Sequence, residues 1–240
     1  MRSMLVKTAA AAVLLAAAFS PAKAGSLQVE PVIVDVTAPG AAATITLHNA
    51  GPASIKGQIR VFKWSLENGQ EKLEATDDVV ASPPSVTLGP DAKNIVRIVR
   101  VAKTPVVGEE SYRLLVDQLP DLAQQKNGAV NLLVRYSLPV FFGAADKKSP
   151  TLAWSVAVKG DKLTLAAHNT GDRRLRLSAL TIKDTHGRSI SLGNGLAGYA
   201  LGQSTKSWTI PARGFAASGS ASISGQSDGG PVQAVASIGR

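Results

Sequence analysis

The chain of 240 residues contains no cysteine. That excludes a disulfide framework, thiolate metal ligands and a cysteine nucleophile. Histidine is scarce: His48, His168 and His186 are the only three. None sits in an H-E-x-x-H pattern, and G-x-S-x-G and G-x-x-x-x-G-K-[ST] are also missing. His48 and His168 each stand at the end of an apolar run, a structural place. Asp77-Asp78 and Glu109-Glu110 are adjacent pairs. Neighbours on a strand point to opposite faces, so neither pair forms a joint acid–base or metal site. Gly193-Asn194-Gly195 has no strand-to-helix context and reads as a turn rather than a phosphate loop. No catalytic residue, metal site or cofactor is expected, and the chain does not read as an enzyme. Beyond residue 24 there is no helical period longer than about three turns, and no segment there could cross a bilayer.

The N-terminus carries a different signal. Arg2 and Lys7 lead into the apolar run Thr8–Phe19, and Ala22-Lys23-Ala24 has the small-x-small pattern that precedes cleavage. This predicts a secretory signal peptide over residues 1–24, cut after Ala24. The apolar run is too short for a membrane anchor, which needs about 20 residues. Loss of Arg2, Lys7 and Lys23 lowers the formal charge from +9 to +6. The remaining basic residues are dispersed, not interleaved with aromatics, and the protein is exported. Nucleic acid is therefore not an expected partner. A modest positive charge can still draw acidic partners or carboxylates. Removing 24 of 240 residues leaves 216, enough for one large or two ordinary domains with real cores.

Short apolar runs recur between Gly, Pro, Asn and Asp. They are Leu27–Val36, Ala43–Asn49, Ile55–Trp64, Val86–Leu88, Asn94–Val101, Ser111–Gln118 and Ala129–Phe142. A second series holds Leu152–Val158, Lys162–His168, Arg174–Asp184, Ser189–Leu192, Gly202–Thr209 and Val232–Ile238. Such spacing predicts an all-β sandwich fold. Gly143–Pro150 is small and polar and predicts a hinge between two domains, 25–145 and 146–240. Thr46–Gly51 and Ala166–Gly171 share an apolar run ending in His-Asn-x-Gly. This favours two related modules over a coincidence of turn signals.

The most informative stretch is Ala129–Phe142, AVNLLVRYSLPVFF. Val130, Leu132, Val134, Tyr136, Leu138, Val140 and Phe142 fall on one face. A period of two over this length predicts a long strand with one strongly apolar face. Typical strands run about 5–6 residues. The strand either buries that face in its own core or lends the face and its hydrogen-bonding edge to another protein.

Further segments bear on this choice. Ala81-Ser82-Pro83-Pro84, Leu88-Gly89-Pro90 and Lys93-Asn94-Ile95-Val96-Arg97 resemble the mid-domain signature of the PapD-like periplasmic chaperones of the chaperone–usher pilus pathway. Glu110–Leu114 with Gln118-Leu119-Pro120 resembles that family's sixth strand, and the long alternating strand resembles its seventh, the donor strand. Ser227–Pro231 resembles its acidic, glycine-rich turn near the end of the second domain. The resemblance implies two immunoglobulin-like β-sandwich domains in an L-shaped arrangement. It implies a periplasmic chaperone that completes pilus or fimbrial subunits with its seventh strand and passes them to an outer-membrane usher, without membrane insertion. By register, Val130, Leu132, Val134 and Tyr136 would fill the subunit's pockets.

The chain departs from the common family pattern in the cleft. There an Arg of the first strand and a Lys of the seventh bind the subunit's terminal carboxylate; here those positions fall on Ile33 and Pro139. The Arg that usually follows falls on Gly143, which puts its bridge to acidic residues near Glu110 and Asp228 in doubt. Arg135–Phe142 instead resembles the archaic branch. Candidate replacements for the carboxylate anchor are Arg113, Arg97 and Arg135, with Arg113 preferred near the cleft end of its sheet; Arg's fork suits a carboxylate. The alternative function is an exported two-domain β-sandwich acting as a structural or adhesive surface protein. Self-association of the free form through the open strand edge also stays open.

Overall fold

The computed structural model describes residues 26–120 and 132–239. The expected signal peptide, Ala129, Val130 and Asn131 lie outside the described residues. Every regular element among those described is a strand.

The first half holds β1 (Leu27–Glu30), β2 (Val34–Thr37), β3 (Ala42–Asn49), β4 (Ile55–Glu67), β5 (Gln70–Ala75), β6 (Val79–Ser82), β7 (Ser85–Leu88), β8 (Lys93–Arg100), β9 (Glu109–Leu119) and β10 (Arg135–Gly143). One sheet has the order β1-β3-β8-β6; the other runs β2-β10-β9-β4-β5, with β7 on β4. Alternation decides what lies between them. Ile45 and Leu47 of β3, Val96 and Ile98 of β8, Ile59 of β4, Leu114 and Val116 of β9, and Leu138 and Val140 of β10 meet in one buried core. Each such side chain contributes roughly 1.5–3 kcal/mol on burial.

The expected single strand Leu27–Val36 is two strands, divided between the two sheets. Pro31 sits at the break; it has no N–H to offer a ladder. The Ala129–Phe142 run is also shorter as a strand than expected. Its ladder begins at Arg135, and Leu132–Val134 precede it, tied by the Gln118 amide donating to the Val134 carbonyl at 2.9 Å. Two strands lack the expected pattern altogether. In β5, QEKLEA, every residue is exposed, so no apolar period marks it. The other, β6, has only four residues.

The second half holds β11 (Leu152–Lys159), β12 (Lys162–Asn169), β13 (Leu175–Asp184), β14 (Ser189–Ser191), β15 (Leu196–Ala200), β16 (Ser204–Pro211), β17 (Ser220–Ser227) and β18 (Gly230–Gly239). They form one continuous sheet, β14-β13-β17-β18-β11-β12-β16 with β15 on β13. The parallel contact of β11 with β18 spans only Val156–Ile238 and Ala157–Gly239. About that narrow seam the sheet closes into a second sandwich around Leu163, Leu165, Leu177, Leu180, Ile182 and Ile223. Strands β15 (LAGYA) and β17 (SASISGQS) do not stand out in the sequence because small residues dilute their few apolar ones.

The repeated Asn-x-Gly has a shared physical role. Asn49 is fully buried; its Nδ2 donates to the carbonyls of Ala53, Leu88 and Gly89, and its Oδ1 accepts from the Gly51 amide. Asn169 is equally buried. Its Nδ2 donates to Arg173 and Ala200 carbonyls, and its Oδ1 accepts from the Gly171 amide. In both halves one amide side chain satisfies the carbonyls of a bend that would otherwise be buried without partners. Gly171 is required here, since a Cβ would stand 2.1 Å from the Ser149 carbonyl oxygen.

Candidate functional site

The apolar row of the long segment changes character along its length. Leu132 is 84% exposed. Val134 and Tyr136 are half-buried, and Leu138, Val140 and Phe142 are buried. Tyr136 packs against the first core and its hydroxyl donates to the Leu27 carbonyl at 2.7 Å. The strand therefore enters its own sandwich from one end and leaves Leu132, with Leu133 on the other face, uncovered.

Its edge is open too. The bond from the Gln118 amide to the Val134 carbonyl fixes the ladder phase of an antiparallel pair. Val134, Tyr136, Leu138, Val140 and Phe142 turn their backbone groups toward β9. Arg135, Ser137, Pro139 and Phe141 turn theirs to the other side, where β2 pairs only from Val140 to Gly143. Arg135 and Ser137 so present amides and carbonyls with no strand beside them among the described residues. Pro139 is tolerated because its missing N–H falls on this open side.

Arg135, Pro139 and Phe141 share the outer face of the sheet with Arg113 and Trp64. Phe141, Trp64, Tyr199 and Leu201 form a buried cluster between the two sandwiches, with Ile33 and Leu66 against it. Pro139 pairs with Arg113 across the ladder. Arg113 thus stands beside Pro139, one of the two positions to which the resemblance assigns a carboxylate-binding cation. Its guanidinium carbon lies 3.7 Å from the Trp64 ring centroid and 5.8 Å from that of Tyr199. Its Nη2 donates to Glu71 Oε2 at 3.1 Å.

The other two candidate arginines are placed differently. Arg135 is paired with Asp117, which also accepts from Arg60 at 2.6 Å. Burial alone would raise the Asp117 pKa; the bonds from Arg135 and Arg60 outweigh it and hold the carboxyl below its ordinary value. Arg97 lies exposed on the outer face of the other sheet, paired across it with Thr44 and Ser82. Of the three, Arg113 alone contacts the aromatic cluster of the cleft.

Adjacent Glu109 and Glu110 do point apart. Glu110 accepts from both Arg100 Nε and Nη2 at 2.8 Å and from the Tyr112 hydroxyl at 2.9 Å. Burial works against its charge, yet these hydrogen bonds and the Lys63 and Arg100 charges keep its pKa below normal. Burial and the same carboxylate push the Tyr112 phenol upward. Glu109 faces the second sandwich. Arg174 Nη1 donates to Glu109 Oε2 and Arg174 Nη2 to Asp35 Oδ2, both at 2.6 Å, while the guanidinium lies 3.7 Å from the Phe141 ring centroid. Burial would weaken the Arg174 charge, but the two carboxylates hold its pKa above the ordinary value. With Gly143 unable to bridge, the two halves are tied by Arg174, Asp35 and Glu109. Asp228 stays within the second half, accepting from the Arg176 amide.

Reasoning from sequence did not single out Glu71, Trp64, Asp35 or Arg174 as site residues. Their roles depend on which strands neighbour one another. One signal was present: Asn68-Gly69 is the preferred tip of a two-residue hairpin. Both residues have positive φ, 51° and 77°, and they join β4 to β5.

Residues 26–145 match the family model described as pili and flagellar-assembly chaperone, PapD N-terminal domain. The chain belongs to the PapD-like pilus chaperone family. It is similar to a solved chain in the CsuC–CsuE chaperone–tip adhesion subunit pre-assembly complex from the archaic chaperone–usher Csu pili of Acinetobacter baumannii. There the identity is 25% and the TM-score 0.68, covering 90% of this chain and 99% of that one. The YadV chaperone shares the fold at 15% identity and TM-score 0.62, covering 88% of this chain and 99% of that one. So does a chain of the Salmonella enterica SafA pilin–SafB chaperone complex, at 19% identity and TM-score 0.61, covering 89% of this chain and 97% of that one. No curated protein sequence matches the chain. The PapD-like chaperones of this pathway are periplasmic and are not a family of enzymes.

Proposed function

We propose that this chaperone binds incomplete pilus subunits by adding the β10 segment to their open sheet, and then passes them to an outer-membrane usher. The observation that carries this is Leu132, 84% exposed at the head of an apolar row beside an unpaired backbone edge. Val130, Leu132, Val134 and Tyr136 are the pocket-filling positions. Arg135 and Ser137 supply edge hydrogen bonds, and Pro139 ends them. Each pocket filled by Leu or Val contributes roughly 1.5–3 kcal/mol before ordering costs. Subunit folding supplies the free energy of handover, and the chaperone needs no nucleotide.

Arg113 is the anchor for the subunit's terminal carboxylate. Its place beside Pro139 and over Trp64 supports this over Arg97 and Arg135. The chain is cut after Ala24, and its domains are 25–145 and 146–240. The test is refolding of a partner subunit with and without the chaperone, followed by light scattering. Leu132→Asp and Val134→Asp should remain folded and lose protection, because each places an unpaired charge in an apolar pocket. Full protection by both variants overturns the assignment.

A further inference from the structure

Arg113 already holds a carboxylate in the cleft. Its partner Glu71 stands on β5, opposite Leu66. Every residue of that strand is exposed, so no buried side chain of β5 holds Glu71 in place. The hairpin tip does this instead. The Gly69 carbonyl accepts from the Ser207 amide at 2.9 Å, and Gln70 Nε2 donates to the Ser207 carbonyl at 3.1 Å. A Cβ on Gly69 would stand 2.2 Å from Ser207 Oγ and 2.5 Å from its Cβ. The second sandwich therefore grips the hairpin that carries Glu71.

Resting on the reading of Arg113 as the anchor, we infer that Glu71 is a built-in competitor for the subunit's terminal carboxylate. Trp64 fixes the plane of the guanidinium, and a carboxylate prefers to take its fork with two parallel bonds. Glu71 already takes Nη2. Nη2 belongs to both bidentate edges of the guanidinium, so an incoming carboxylate that takes two parallel bonds must either push Glu71 off Nη2 or share that nitrogen with it against the repulsion of two like charges. The pair can exchange: Arg113 is largely covered, with 12% of its side chain exposed, but Glu71 keeps 36% and can turn out into water, and a carboxylate so solvated is held only weakly. Glu71 thus keeps Arg113 from standing as an unpaired cation before a subunit arrives, and lowers affinity for the arriving carboxylate in return.

The probe is a short strand peptide of alternating valine and threonine, made with a free C-terminal carboxylate and as the C-terminal amide. Binding of each to the mature protein is measured by calorimetry. Glu71→Ala should bind the acid form about threefold to fivefold tighter and the amide form unchanged. Gly69→Ala, which frees the hairpin from Ser207, should shift the acid form in the same direction. Arg113→Gln should bind acid and amide alike, with or without Glu71→Ala. Acid-form affinity in Glu71→Ala equal to or below the parent's overturns the competitor role. If Arg113→Gln keeps the parent's preference for the acid, Arg113 is not the anchor, and the reading beneath the inference fails by itself.

Discussion

Replacing Arg174 with Met tests how the two sandwiches are held together. The substitution keeps an unbranched chain over Phe141 and removes the charge. Arg174 has 6% of its side chain exposed and Glu109 has 1%, so this arm of the bridge is out of water; Asp35, at 34%, is partly solvated. Removing one partner of a buried pair costs about 3–5 kcal/mol, because the other charge is left uncompensated. Glu109 retains the Arg174 backbone amide at 2.9 Å, which puts the expected loss near the lower end, about 3 kcal/mol. For a chain of this size that lowers Tm by about 6–12 °C. Urea unfolding followed by the fluorescence of Trp64 in the first half and the stacked Trp154 and Trp208 in the second should also separate into two transitions as the sandwiches uncouple. Adding Glu109→Gln should recover much of the loss, since the orphaned charge is then gone. An Arg174→Met protein within about 0.5 kcal/mol of the parent, unfolding in one step, would refute the argument.

Other outcomes follow from the same geometry. Asn49→Ala leaves the carbonyls of Ala53, Leu88 and Gly89 without their shared donor. It should cost about 2–4 kcal/mol in denaturant titration, and Asn169→Ala a similar amount. Pro139→Ala should change stability by less than about 1 kcal/mol. Val140→Pro, which removes an N–H from the β9 ladder, should cost about 3 kcal/mol or more. Glu110 has a lowered folded-state pKa. Its contribution is therefore complete above its ordinary value near 4.5 and fades as pH falls through the lower folded value. Arg100→Gln should flatten that part of the stability–pH curve.

The all-β architecture was legible because β3, β4, β8 and β9 alternate apolar and polar residues with few exceptions. The repeated Asn-x-Gly was legible as a turn, though not as a buried clamp on neighbouring carbonyls. That role depends on Gly89 and Ala200, which are distant in sequence. The β5 strand escaped notice because it buries nothing; it is held by its ladder to β4 and by the Asn68-Gly69 turn. Strands of Ser and Ala such as β17 take their order from neighbours rather than from their own apolar content. The exposed row at Leu132 was visible as a period of two, but its gradual entry into the core at Leu138 was not. The cleft was least legible. That Ile33 and Pro139 stand where the resemblance expects cations could be read. Arg174 bridging to Asp35 and Glu109 could not, because those three residues are far apart along the chain.

The central claim is that the face and edge at Leu132–Ser137 are given to another chain. Tagged mature protein drawn from periplasmic extract, with native mass spectrometry on the eluate, tests it most directly. The account predicts a one-to-one complex with a small β-rich exported subunit, lost on Leu132→Asp while the chaperone itself stays folded. A monomer or self-assembled species unchanged by that substitution would contradict it and return the strand to its own sandwich.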